Sequence, residues 1–211
     1  MIKCDVTVCG SVVRAAEMRS DREGKPYMSV ALSVSVSNSL PNGERGAKVL
    51  TINATKDGDQ HDLLSMFAVG SRVEVSGQLT FGKSGEDIRM QIMGISPQVA
   101  PERDEIKGSM TFKGKTRKAT SGHAGNLVKA GMNKKGAAYY TFSAFSTRKT
   151  GENAYDYTWV RFFVNGNPPE WLTWQTRIQA KGRLTVDAYN DRLNLTCNAE
   201  ELTQDMGVQQ G

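Results

Sequence analysis

The chain has 211 residues, with 27 Lys and Arg against 22 Asp and Glu, and a formal net charge of +5. This length allows one large domain or two small ones, and a hydrophobic content of 38% is too high for a disordered chain. No apolar stretch could span a bilayer and residues 1–5 do not begin a secretory signal, so we expect a soluble, cytoplasmic protein. The three cysteines form no C-x-x-C pair, which argues against a disulfide scaffold and a zinc ribbon.

Charge and aromatic residues are distributed unevenly along the chain. Residues 1–100 carry 11 basic and 11 acidic side chains, whereas residues 106–199 carry 15 basic and five acidic ones. Three of the 16 aromatic side chains lie in the first hundred residues and the other 13 follow. This division predicts two modules, of which the second is suited to a polyanionic partner.

Alternation of apolar and polar residues predicts a series of short strands in the first half. In chain order these strands cover residues 6–13, 28–36, 48–55, 73–81 and 88–92. Asn42-Gly43 predicts a hairpin turn between the second and third strands, and residues 62–67 are the one helix candidate. The predicted order is therefore three strands, a short helix and two strands.

The second half repeats this order. Residues 71–80 match residues 176–185 at an offset of 105, which aligns Gly77 with Gly182 at a position suited to a bend or bulge. A basic, glycine-rich insertion separates the first two strands of the second copy.

Five strands with a helix between the third and fourth is the arrangement of an oligonucleotide/oligosaccharide-binding (OB) barrel. We therefore expect an all-β chain with two tandem five-stranded OB-fold barrels, each with a short helix between strands 3 and 4. The barrels are residues 1–98 and 106–203, with a linker at 99–105 and a flexible tail at 204–211.

One strand of the second half carries the functional signal. Residues 155–164 read Tyr-Asp-Tyr-Thr-Trp-Val-Arg-Phe-Phe-Val, and side chains alternate between faces along a strand. Even positions then form a core face of Val160, Phe162 and Val164, and odd positions form an outward row of aromatic rings around Arg161. Burial of both faces between two layers is the alternative, but Arg161 has no obvious carboxylate partner on its face. An exposed aromatic row with cations is typical of single-stranded nucleic-acid binding.

The run from Tyr157 to Gly166, followed by Lys181-Gly182-Arg183-Leu184, resembles bacterial single-stranded-DNA-binding proteins. The resemblance covers most of residues 106–203 and, more faintly, residues 5–97. It implies that Trp159 is a base-stacking tryptophan and that Tyr189 lies near a second stacking position. At residues 146–149 the chain departs from the family, which often has a further tryptophan there, and its Ser-Thr-Arg-Lys sequence favours phosphate contact instead.

These patterns together define the candidate site and its partner, single-stranded DNA, with no cofactor, no metal, no membrane and no catalysis. The aromatic candidates are Trp159, Tyr157, Tyr155, Phe163 and Tyr189. The cationic candidates are Arg161, Arg148, Lys149, Lys113, Lys115, Arg117, Lys118, Lys134, Lys135 and Arg183. In the first half, the equivalent strand has no aromatic residue on its outer face. This half is therefore expected to bind DNA weakly or to serve self-association, and its candidate residues are Tyr27, Lys25, Lys48, Lys56 and Arg89. The basic insertion is expected to close over the bound strand.

Several alternatives stay open at the sequence level. RNA binding or RNA chaperoning fits the same stacking surface, and a protein scaffold could use the aromatic strand as a subunit interface. A homodimer would present four OB folds, and the replicon that encodes the chain, whether cellular, plasmid or phage, is open. The C-terminus lacks the acidic tip with which bacterial members recruit replication and recombination proteins. Asp57, Asp59, His61 and Asp62 could hold a metal ion, but a polar loop with Asp59 capping the helix is the preferred interpretation.

Overall fold

The structure, a computed structural model, describes residues 1–82, 87–98, 100–118 and 127–206. Nearly all of its regular structure is β-strand, as the alternating pattern predicts. The first half contains β1 (Ile2–Ser20), β2 (Pro26–Ser39), β3 (Arg45–Asp57), β4 (Arg72–Gly82) and β5 (Asp87–Ile95). The second contains β6 (Glu105–Thr116), β7 (Lys129–Met132), β8 (Ala138–Lys149), β9 (Tyr155–Asn165), β10 (Arg177–Tyr189) and β11 (Arg192–Gln204). Among the described residues, no helix is long and apolar enough to cross a membrane.

The strand pairings of the first half return to the strand from which they start. β1 pairs with β2, β2 with β3, β3 with β5, β5 with β4, and β4 again with β1. In the second half β8 pairs with β9, β9 with β11, β11 with β10 and β10 with β6. There β6 and β8 meet through two residue pairs, Lys115 with Phe145 and Thr116 with Ala144. Rings of this kind are consistent with the OB fold.

The two halves share one hydrogen-bonded sheet of eleven strands. Residues 2–9 of β1 pair with residues 105–112 of β6 in antiparallel register, and the end of β10 pairs with the end of β2. Asp104, just before β6, accepts a hydrogen bond from the backbone N–H of Ser35 and forms an ion pair with Arg72. The halves are therefore joined by backbone as well as side-chain contacts.

Gly77 and Gly182 occupy equivalent positions in β4 and β10, as the sequence repeat predicts. The register of β4 with β5 shifts between Ser76 and Gly77, and that of β10 with β11 shifts between Lys181 and Gly182. A Cβ at Gly182 would meet the carbonyl oxygen of Asn198 and lie 2.7 Å from the Cα of Ala199. Close approach of the neighbouring strand therefore requires glycine at this bend.

The prediction of a short helix in each half is wrong for the second half. In the first, a 3₁₀ helix covers His61–Phe67 and contributes the buried Phe67 to the core. In the second, residues 166–176 between β9 and β10 form turns, with the N–H of Leu172 donating to the carbonyl of Pro169 at 3.0 Å. Pro168 and Pro169 have no backbone N–H to donate to a helical ladder, which favours turns over a helix.

The second half also has one strand more than expected. Residues 129–132 of the basic insertion form β7, which pairs with residues 138–141 of β8 through a turn in which Gly136 has a φ of 78°. Residues 119–126 of the insertion, with His123, lie outside the described residues, as do residues 207–211 of the expected tail.

Candidate nucleic-acid interface

Side chains of β9 alternate between core and surface up to Phe162, as the sequence predicts, but not at Phe163 and Val164. Val160 and Phe162 are buried, and Phe162 packs against Phe112 and Phe142 with ring centroids 4.9 Å apart in each pair. Tyr155, Tyr157 and Trp159 point outward with 51%, 47% and 49% of their surface exposed, and Arg161 is exposed as well. Phe163 and Val164 are half-buried. The outer face of β9 is thus an aromatic row that solvent can reach.

β8 adds two rings to this row that sequence reasoning missed. Phe145 pairs with Trp159 across the hairpin, and its ring centroid lies 5.1 Å from that of Trp159 and 5.7 Å from that of Tyr157. Tyr139 stacks on Phe163 with centroids 6.4 Å apart. The hairpin register provides the signal, because odd residues of β8 lie beside odd residues of β9 on one face. These contacts fix the orientation of the exposed rings.

At the far end of the row, the surface becomes polar. Arg161 places its guanidinium 5.0 Å from the centre of the Phe163 ring, and Asn198 of β11 lies beside Phe163. Tyr139, Phe163, Asn198 and Arg183 line a recess of about 460 Å³ that also includes the acidic Glu200. Ring faces, amides and a guanidinium in one recess are the groups that stack and hydrogen-bond a nucleobase.

A cationic pocket of about 310 Å³ lies against the middle of the row. Arg161, Arg117 and Lys129 line it together with the hydroxyl-bearing Thr141 and Ser143, and none of the described residues that line it is acidic. Arg117 also lies 5.4 Å from the centre of the Trp174 ring. Lys129 was not among the candidate residues, since its place in the insertion is set by the pairing of β7 with β8. The arrangement suits a phosphate group.

A second group of cations lies at the Tyr157 end of the row. Lys113 and Lys115 are exposed on β6. Arg177 of β10 lies opposite Lys115 in the ladder between β6 and β10. These three side chains line a cavity of about 440 Å³ that also includes Tyr157, Phe145 and the acidic Asp205. The row therefore has basic side chains in its middle and at this end.

Other candidates lie further from the row. Arg148 is 3.6 Å from the carboxylate of Asp156, and its guanidinium lies against Gly82 of the first half. Lys149 pairs with Tyr155 at the end of the β8–β9 hairpin. Tyr189 is exposed at the end of β10, where its Cα pairs with that of Ser39. Lys118 is exposed beyond β6, and Lys134 and Lys135 are exposed in the turn between β7 and β8.

The first-half candidates do not form one surface. Lys25 pairs with Glu23 at 2.6 Å, and the half-buried Tyr27 and Lys56 lie near it at one end of the β2–β3 ladder. Lys48 lies towards the other end and donates to the backbone carbonyl of Asp191 at 2.5 Å. Phe81 is buried, as expected for a core residue, and Arg89 pairs with Asp87 at 2.8 Å.

The candidate metal ligands of residues 57–62 do not form a metal-binding cluster in the described parts of the chain. The Asp59 carboxylate accepts hydrogen bonds from the backbone N–H and Nδ1 of His61, at 3.1 and 2.6 Å. The helix N-cap is Gln60 rather than the expected Asp59, and it makes no side-chain cap. Burial raises the pKa of Cys4 to about 12 and that of Cys197 to about 11, so neither thiol is ionised near neutral pH. No cluster of three potential metal ligands occurs in residues 1–82, 87–98, 100–118 or 127–206.

Solved structures with similar shape include the single-stranded DNA binding protein from Thermus aquaticus. A deletion mutant of it has a TM-score of 0.49 at 16% identity, covering 97% of this chain and 95% of that one. The PriB protein from Ralstonia solanacearum has a TM-score of 0.33 at 19% identity, covering 44% of this chain and 95% of its own. The N-terminal domain of PriB from Thermoanaerobacter tencongensis, a dimer, has a TM-score of 0.32 at 19% identity, covering 47% and 97%. No protein-family model and no curated protein matches the sequence.

Proposed function

We propose that this chain binds single-stranded DNA without sequence specificity and without catalysing a reaction. The observation that carries the proposal is the aromatic row of β9, in which Tyr155, Tyr157 and Trp159 are each about half exposed to solvent. In a soluble protein an aromatic patch of this kind needs a partner. Single-stranded DNA is a suitable partner, because every base has a face that can stack on an aromatic ring and every phosphate carries a charge that a basic side chain can neutralise.

Bases stack on the row in this proposal. Trp159 and Tyr157 hold the centre with Phe145 behind them, Tyr155 extends the row at one end and Phe163 at the other. Packing against Phe145 keeps two of these rings in a fixed orientation, which lowers the entropy cost of binding. Each stacked base contributes about 1–3 kcal/mol.

Phosphates follow the cations beside the row. The pocket of Arg161, Arg117 and Lys129 holds one phosphate, and Lys113, Lys115 and Arg177 hold another at the Tyr157 end. The remaining basic candidates steer the strand by charge, since long-range attraction needs no direct contact. These are Lys118, Lys134, Lys135 and Lys149, whereas Arg183 lies with Phe163 in the recess that suits a nucleobase. Arg148, already close to Asp156, contributes less.

The chain is divided in this proposal into two OB-fold modules. Residues 1–98 form the first and residues 106–203 the second, with a linker at 99–105 and a tail at 204–211. The two runs of strand pairings and the equivalent bends at Gly77 and Gly182 support this division. A homodimer would bring four modules together. Coating of exposed strands would protect them during replication or recombination.

The test is a titration of intrinsic fluorescence with oligo-dT, oligo-U and duplex DNA at several salt concentrations. Stacking on Trp159 should quench its emission, while Trp171 and Trp174, both half-buried, contribute a background. A Trp159→Phe variant measures that background. Affinity for oligo-dT should fall with salt with a logarithmic slope of about −0.7 for each phosphate neutralised.

The outcomes separate the proposed function from its alternatives. Quenching by oligo-dT with much weaker duplex binding supports the proposal, and tighter binding of oligo-U would reassign the surface to RNA. Absence of quenching and binding, together with a salt-insensitive oligomer in sizing experiments, would make the aromatic row a subunit interface. Cleavage of labelled DNA on addition of divalent metal would contradict the absence of catalysis.

A further inference from the structure

We infer that the first half supplies the second wall of the binding groove, so that the base stacked on Trp159 lies against Val49. This inference rests on the proposed function and specifies how its site is built. A cavity of about 690 Å³ lies between the halves, with Tyr157 and Trp159 of β9 on one side and Val49 and Thr51 of β3 on the other. It also reaches Leu193 and Leu195 of β11.

Val49 is an apolar residue on the solvent-facing side of β3. β3 alternates between buried Leu50 and Ile52 and outward Val49 and Thr51, and Val49 is 65% exposed. A lone exposed valine needs no explanation, but this one lines the same cavity as half-exposed Trp159 and Tyr157. Val49, Tyr157 and Trp159 therefore contribute apolar surface to one cavity at the boundary between the halves.

A cluster of hydrogen bonds at Asp191 ties the two walls together. Lys48, the neighbour of Val49, donates to the Asp191 carbonyl at 2.5 Å. Asn38 of β2 donates to the Asp191 carboxylate at 2.6 Å and accepts from its backbone N–H at 3.3 Å. The end of β10 also pairs with the end of β2. The cavity is therefore held open by contacts that do not depend on a ligand.

A nucleotide fits the size and chemistry of this cavity. Its volume lies within the range of about 300–1,000 Å³ that is usual for small-ligand sites. Base-binding pockets stack the base between aromatic and apolar side chains, as Trp159 and Val49 would. Arg192 lines the cavity as a cation for the backbone, and the Asp191 carboxylate is already hydrogen-bonded to Asn38. Continuity with the aromatic row makes the occupant part of the same DNA strand.

The test changes the wall without touching the aromatic row. Val49→Glu should weaken binding of a fluorescently labelled oligo-dT at least about tenfold, since a carboxylate would face the base and repel the neighbouring phosphates. Val49→Phe should tighten binding about fivefold by adding a second stacking surface. Val69→Glu, at a valine that is 68% exposed beyond the 3₁₀ helix, is the matched control and should bind like the wild type. Binding is read by anisotropy of the label, and the thermal midpoint checks folding.

Wild-type binding by both Val49 variants would overturn the inference and leave the proposed function standing. Equal weakening by Val49→Glu and Val69→Glu would overturn it as well, because it would reduce the effect to general charge. Failure of the wild-type chain to bind oligo-dT would overturn the proposed function and the inference together. Weakening by Val49→Glu alone, with tightening by Val49→Phe, would support the shared groove.

Discussion

Replacement of Trp159 by alanine tests the central stacking position. The side chain is 49% exposed, and its described ring contact is Phe145, at a centroid distance of 5.1 Å. Truncation therefore leaves the buried core of Val160 and Phe162 intact, and we expect folding stability to change by no more than about 1 kcal/mol. Loss of one stacked base should cost about 1–3 kcal/mol, which raises the Kd for oligo-dT about 5- to 150-fold.

The salt dependence of binding separates stacking from charge in this variant. Trp159→Ala removes no positive charge, so the slope of log K against log salt should stay at the wild-type value while the whole line moves down. Trp159→Phe should recover most of the affinity, because a smaller ring still stacks. Met93→Ala, at an exposed apolar side chain of β5, is the control and should bind like the wild type. Wild-type affinity of Trp159→Ala at every salt concentration would refute the stacking assignment.

The remaining predictions concern charge, backbone packing and pH. Arg161→Gln should lower the salt slope by about 0.7, the value for one lost phosphate contact, in anisotropy titrations. Gly182→Ala should destabilise the fold by about 1–3 kcal/mol in thermal denaturation, since its Cβ would meet the carbonyl of Asn198. Burial raises the pKa of the Cys4 thiol to about 12 and that of Cys197 to about 11, from an ordinary value of 9.0. In the folded chain both thiols therefore stay protonated at a pH where the same thiols of the unfolded chain have ionised. Their contribution to the free energy of unfolding is therefore complete below about pH 9 and falls progressively as the pH rises above that value. Urea denaturation at about pH 7 and about pH 10 can measure this fall.

Each of these predictions has a control in the same chain. Arg19→Gln removes a charge from a pair with Glu17 in the first half and should leave the salt slope unchanged. Gly46→Ala places a Cβ in open space on β3 and should not destabilise the fold, so equal losses at Gly46 and Gly182 would contradict the packing argument. Cys4→Ala should reduce the fall in unfolding free energy above about pH 9. If the unfolding free energy of Cys4→Ala fell as much as that of the wild type, the pH dependence would belong to other groups.

The aromatic row shows how much of the site could be predicted from local sequence. Side chains of an extended strand alternate at every residue, so the outward position of Tyr157, Trp159 and Arg161 follows from the buried position of Val160 and Phe162. The same local rule located most of the strands, and the internal repeat located the bend at Gly182. It could not identify Phe145, which joins Trp159 through the register of a hairpin. Register depends on the whole ladder rather than on one strand.

Sequence alone also separated a basic, aromatic-rich half from a neutral one, because charge and composition need no coordinates. Tertiary structure decided where those charges meet. Lys129 joins Arg161 and Arg117 only because β7 folds back on β8, and Val49 joins Trp159 only because the halves share a sheet and the contacts of Asp191. These are contacts between residues far apart in the chain, whose closeness is set by strand pairing and not by any local pattern. Sequence thus determined which chemical groups the chain offers, and tertiary structure determined which of them lie side by side.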